Sequence, residues 1–88
     1  MIEREASIVN QEGLHARPAA QIVRLANSFV AQVELAKDGL VVNGKSIMGV
    51  MMLAAEHGSS IIIRADGADA EQAVQALAEL VASGFGEA

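Results

Sequence analysis

The residues best suited to chemistry stand together in Gly13-Leu14-His15-Ala16-Arg17-Pro18-Ala19-Ala20-Gln21. Beyond them Ala19, Ile22, Val23 and Ala26 fall at i, i+3, i+4 and i+7, the spacing of a helix with one buried face. Proline is tolerated in the first turn of a helix, where its missing N–H had no intrahelical partner. Pro18 therefore sets the helix start close to His15, with His15 itself as the N-cap. A helix start presents unpaired N–H groups and partial positive charge, which favour anions such as phosphate. His15 is the one nucleophilic side chain placed there, and Arg17 is the one nearby fixed cation. A neutral imidazole nitrogen can attack an activated phosphoryl donor near pH 7 to form a phosphohistidine. The helix N–H groups and the Arg17 guanidinium can then compensate the new charge. Gly13 lets the backbone before the ring turn tightly. The plainer alternative is that His15 is a surface histidine and nothing more.

Other chemistries find little support. His15 and His57 are far apart and no paired carboxylates flank either, whereas a metal site draws on three or four converging ligands. The absence of cysteine excludes disulfides, thiolate ligands and a cysteine nucleophile. Neither a P-loop nor a GxGxxG occurs, so no cofactor is expected. Six Lys and Arg against eleven Asp and Glu argue against nucleic-acid binding. The longest apolar run, Ile47 to Ala55, is interrupted by Gly49 and is too short to span a bilayer. The N-terminus lacks a basic stretch followed by an apolar one, so it is not read as a signal peptide. The expectation is one acidic cytoplasmic domain over residues 1–88, with no metal and no membrane insertion.

Two further features could act on other molecules. Ser46 suits the N-cap of a short helix over residues 47–53, and a phosphate at such a cap need not refold the domain. In that helix Val50 and Leu53 face inward. Ile47, Met48 and Met51 then point outward, and Met52 fits either a core or a surface role. Surface methionines adapt to different partners. His57 reads as solvent-facing, and Arg64 has no evident companion.

The elements that must position these residues alternate along the chain. Ile2 to Val9 reads as a strand, and Ala16 to about Ser28 as the first helix. Val30 to Lys37 alternates with Val33 and Leu35 on one face, Asp38-Gly39 signals a hairpin, and Leu40 to Val42 returns. Gly49 keeps the second helix short or lets something approach closely, and residues 54–57 extend that helix toward the turn at Gly58-Ser59. Ile61, Ile62 and Ile63 put apolar groups on both faces, as in a central strand. Asp69 with Gln72 resembles a capping box opening a last helix to about Ala82. Its core face is Ala70, Ala73, Val74, Leu77, Leu80 and Val81. Gly84 and Gly86 end it and leave a short frayed tail. The order βαββαβα, with antiparallel pairing at the hairpin, predicts a two-layer α+β fold.

Taken together, Gly13-Leu14-His15-Ala16-Arg17-Pro18-Ala19 resembles the active-site signature of HPr, the histidine-containing phosphocarrier of the bacterial phosphoenolpyruvate-dependent phosphotransferase system. Asn43-Gly44-Lys45-Ser46-Ile47-Met48-Gly49-Val50 resembles the serine regulatory signature of the same family, and the likeness covers nearly the whole chain. The resemblance implies an HPr-like open-faced β-sandwich, a four-stranded antiparallel sheet covered on one face by three helices. It implies that His15 is phosphorylated on Nδ1 by phospho-enzyme I and passes the group to an enzyme IIA domain, with Arg17 pairing with the phosphoryl group. It further implies that Ser46 is the target of HPr kinase/phosphorylase, and that its phosphate weakens transfer through His15. Ala16, Ala20, Ile47, Met48 and Met51 would form the partner-binding patch, with Arg17 and Arg24 as its basic rim. Asn27 and Gly49 carry no charge, which thins that rim. The protein would be a monomeric covalent carrier rather than a turnover enzyme. The alternatives are a mainly regulatory relative, serving nitrogen-related or catabolite control and read through Ser46, and a small-molecule-binding or structural α+β module in which His15 is incidental.

Overall fold

Three consecutive isoleucines place β4 (Ser60–Asp66) inside a sheet, because each face of that strand must be apolar. In the structure, a computed structural model describing residues 1–87, Ile61 and Ile63 are fully buried and Ile62 is half-buried on the opposite face. β4 is flanked by β1 (Ile2–Ser7) and β2 (Gln32–Lys37), and β3 (Leu40–Asn43) lies outside β2. The order is β1-β4-β2-β3 and every pairing is antiparallel. Register brings Ile63 opposite Leu35, and Leu35 opposite Val42, so one inward row of apolar side chains crosses the sheet. Burying each such side chain contributes about 1.5–3 kcal/mol.

The helices α1 (Ala16–Asn27), α2 (Ile47–Met52) and α3 (Ala70–Ala82) cover that inward face. α1 buries Pro18, Ala19, Ile22 and Ala26, matching the expected stripe except that Val23 is half-buried. Val50 and Leu53 anchor α2 as expected. On α3 Ala78 is buried and Leu80 only half-buried, so the stripe is turned slightly from the one expected. Asp38 and Gly39 both take positive φ, +51° and +85°, which is the two-residue hairpin turn the dipeptide signals.

Several boundaries differ from expectation. β1 stops at Ser7, opposite Ser60 where β4 begins. Ile8 still exchanges hydrogen bonds with Ser59 and Gly58, and Val9 then turns outward. β2 starts at Gln32 rather than Val30, because the N–H groups of Val30 and Ala31 are held by the Asp69 carboxylate at 2.9 and 2.8 Å. The same contact removes the expected capping box: Asp69 stands at the N-cap of α3, but its side chain does not cap. α2 does not extend through residues 54–57, since Ala54 turns left-handed (φ +50°) and ends it. Arg64 does have a companion, for its Nε lies 3.0 Å from Glu3 Oε2 across the β1–β4 ladder. The Glu3 carboxylate is exposed to solvent, which screens the pair and keeps its contribution small.

The two N–H donors, first Val30 and then Ala31, hold the Asp69 carboxyl below the ordinary aspartate range. A depressed folded-state pKa stabilises above the unfolded value and loses that stabilisation as pH falls through the folded one. Asp69→Asn should therefore lower the urea midpoint at pH 7. The deficit should shrink as pH drops below about 4, checked by urea unfolding of both proteins across that range.

Candidate functional site

Gly13 and Leu14 fix where the candidate histidine begins. Leu14 is buried, and its N–H donates to the Ala55 carbonyl at 2.8 Å. Gly13 has φ +69°, and a Cβ there would lie 2.5 Å from the Ala55 oxygen and 2.8 Å from Glu56 Cα. The loop is thus pressed against the chain leaving α2. His15 follows in extended conformation (φ −79°, ψ −170°) as the N-cap of α1. Its carbonyl accepts from Ala19 N–H, but its side chain makes no capping bond. The ring is therefore free to reach elsewhere. The first turn of α1 contains no acidic residue to compete for an anion.

The ring reaches the end of the chain. His15 Nε2 lies 3.1 Å from Glu87 Oε2 and 3.4 Å from Oε1, with the His15 side chain 37% exposed. A carboxylate only accepts, so in the neutral ring Nε2–H donates and the lone pair stays on Nδ1. Nδ1 has no hydrogen-bond partner among the described residues. Glu87 is itself held by Asn10, which is 3% exposed and whose Nδ2 donates to Glu87 Oε1 at 3.1 Å and to the Gly13 carbonyl at 2.8 Å.

The tail that carries Glu87 is not frayed, contrary to the sequence expectation. Gly84–Gly86 form a 3-10 turn whose three φ angles are all positive, and Phe85 at its centre is buried. A left-handed backbone costs a non-glycine residue about 1–2 kcal/mol. Burying a phenylalanine returns about 1.5–3 kcal/mol, so burial holds the turn. Gln21 Nε2 on α1 donates to the Phe85 carbonyl at 3.3 Å. Sequence reasoning missed Glu87 and Asn10. The available signal was Phe85, one of only two aromatic residues, set between two glycines in a supposedly unpacked tail.

Arg17 is exposed and lines the same cleft as His15, together with Gln21, Phe85 and Glu87. It forms no ion pair among the described residues. Ser46 does not line this cleft. It caps α2, its Oγ accepting from Gly49 N–H at 3.1 Å, and what approaches Gly49 closely is the Asn43 carbonyl, 3.1 Å from where a Cβ would be. Ile47, Met48 and Met51 are exposed, and so is Met52 at 65%, which settles its two readings in favour of the surface. Ala16, Ala20 and Arg24 form one i, i+4, i+8 stripe on α1, with Ala20 half-buried and the other two exposed. His57 is exposed, as expected.

The chain is thus an open-faced βαββαβα sandwich that presents a half-exposed histidine at a helix start. The family model described as "PTS HPr component phosphorylation site" matches residues 2–83. Phosphocarrier protein HPr of Cupriavidus necator is 48% identical over 87 residues, covering 99% of this chain and 98% of its own length. The crystal structure of HPr-C-His from Thermoanaerobacter tengcongensis superposes with a TM-score of 0.96 at 45% identity, covering 100% of this chain and 99% of its own. A phosphocarrier protein HPr from Bacillus anthracis gives 0.87 at 48% identity, covering 91% and 95%. The chain belongs to the HPr family of phosphocarrier proteins of the phosphotransferase system.

Since Gly13 combines a left-handed backbone with contact against backbone atoms, Gly13→Ala should destabilise the fold by about 2 kcal/mol or more. Denaturant unfolding measures this directly.

Proposed function

We propose that this chain accepts a phosphoryl group on Nδ1 of His15 from phospho-enzyme I and passes it to an enzyme IIA domain in the cytoplasm. The observation that carries this reading is the Glu87 carboxylate on Nε2, which leaves the lone pair of His15 on Nδ1. The lone pair attacks phosphorus, the N–P bond forms, and the bond to the donor breaks with its electron pair leaving on the donor. The proton on Nε2 stays in place, so the ring becomes cationic and the carboxylate opposite it balances that charge. Onward transfer reverses the step, and the ring departs neutral. The N–H groups at the start of α1 and the Arg17 guanidinium meet the phosphoryl oxygens.

Ile47, Met48 and Met51 supply an adaptable apolar contact for both partners, with Ala16 and Ala20 beside Arg17 and Arg24 on α1. A small basic rim on an acidic chain fits acidic partners and weak, fast encounters. Ser46, beside Ile47 and Met48, is the proposed target of HPr kinase/phosphorylase. A phosphate there places negative charge against the apolar patch and disfavours docking of acidic partners.

Incubation with phosphoenolpyruvate and enzyme I should give a single acid-labile phosphoryl adduct, lost in His15→Ala and kept in Ser46→Ala. No adduct with a cognate enzyme I would overturn the reading. Arg17→Ala should slow transfer by roughly tenfold or more, the loss of one charge-assisted hydrogen bond in the transition state, followed by rapid-quench labelling. Separately, Ser46→Ala should cost about 1 kcal/mol of stability through the lost cap, read from urea unfolding.

A further inference from the structure

We propose that Asn10 is a positioning residue for phosphoryl transfer: it holds Glu87 where that carboxylate orients the His15 ring and balances the charge the ring takes up. This rests on the reading of His15 as the carrier. Asn10 is the one polar residue buried among the described residues, and both of its contacts belong to the site. Those contacts, the Gly13 carbonyl and a Glu87 oxygen, are both acceptors. The amide must therefore present its nitrogen to them, and its orientation is dictated rather than free. Its Oδ1 is buried with no partner among the described residues, so the side chain is held by its two donor contacts alone.

The consequence for Glu87 is a division of labour between its oxygens. Oε1 accepts from Asn10 at 3.1 Å, and Oε2 faces His15 Nε2 at 3.1 Å. From the other side, the buried Phe85 and the Gln21 bond to its carbonyl hold the turn that delivers Glu87. Nδ1 and Nε2 point in divergent directions from the ring, so the carboxylate stands away from the path of an incoming phosphoryl group. It acts on the ring cation and not on the attack. When the N–P bond forms the ring gains one positive charge and no proton moves. A fixed carboxylate on Nε2–H therefore favours the phosphorylated form. If the group leaves for an acceptor, the N–P electron pair returns to Nδ1 and the ring is neutral again.

The test is a double-mutant cycle with Asn10→Ala and Glu87→Gln, each checked by circular dichroism and urea unfolding. The readouts are the equilibrium constant for transfer from phospho-enzyme I and the NMR signal of the Nε2-bound proton of phosphorylated His15. For a half-buried ion pair the expected loss is about threefold to fivefold in that equilibrium constant for each single variant. The Nε2 proton should also exchange faster with solvent. In the Glu87→Gln background, Asn10→Ala should add nothing. An equal loss from Asn10→Ala in both backgrounds would mean that Asn10 acts only through Gly13, and would overturn the proposal. So would a wild-type equilibrium constant and proton signal in Asn10→Ala. Failure of the wild-type protein to take a phosphoryl group on His15 at all would instead overturn the carrier reading.

Discussion

The hydrogen bond from Leu14 N–H to the Ala55 carbonyl joins the two parts of the chain on which the rest of the site depends. One part leads into the helix that starts at His15. The other leaves the helix that carries the exposed methionines. The bond is short, and Gly13 beside it tolerates no side chain, so the two parts cannot slide past one another. Leu14 pushed into the core from this loop gives the register its energetic weight, because a buried leucine outweighs the modest net value of the hydrogen bond itself. His15 and the exposed apolar residues of α2 are thereby held on one framework, as the proposed relay between successive partners requires.

Much of this was legible in the residues, and for local reasons. The apolar period of α1, the proline in its first turn and the serine before α2 each act within a few residues of where they stand. The three isoleucines announced a strand buried on both faces, and Asp38-Gly39 announced its own turn. The place of His15 at a helix start was readable because that too is a local arrangement.

What was not legible were polar side chains that bond far along the chain. Asp69 looks like a cap because the residues that claim it, Val30 and Ala31, are some forty positions away. One carboxylate serves two distant N–H groups here, and the local rule loses. Asn10 is the turn residue it looks like, its carbonyl accepting from Gly13 N–H, but its side chain is also the buried donor that reaches position 87. The glycines at 84 and 86 read correctly as the end of a helix. Their wider use, to wind a left-handed turn around a buried phenylalanine, depends on a hollow that exists only after α1 and α3 have packed.

That turn separates two properties that usually travel together. Phe85 seals the core, but the group that touches the imidazole lies beyond it, on a residue that contributes almost no apolar burial. A protease trimming the chain just after Gly86 would leave a domain with the same sheet and the same helices. Its His15 ring would have lost its carboxylate partner. Damage of this kind escapes quality control that recognises unfolded chains, because it changes the partner of one imidazole and not the sheet or the helices.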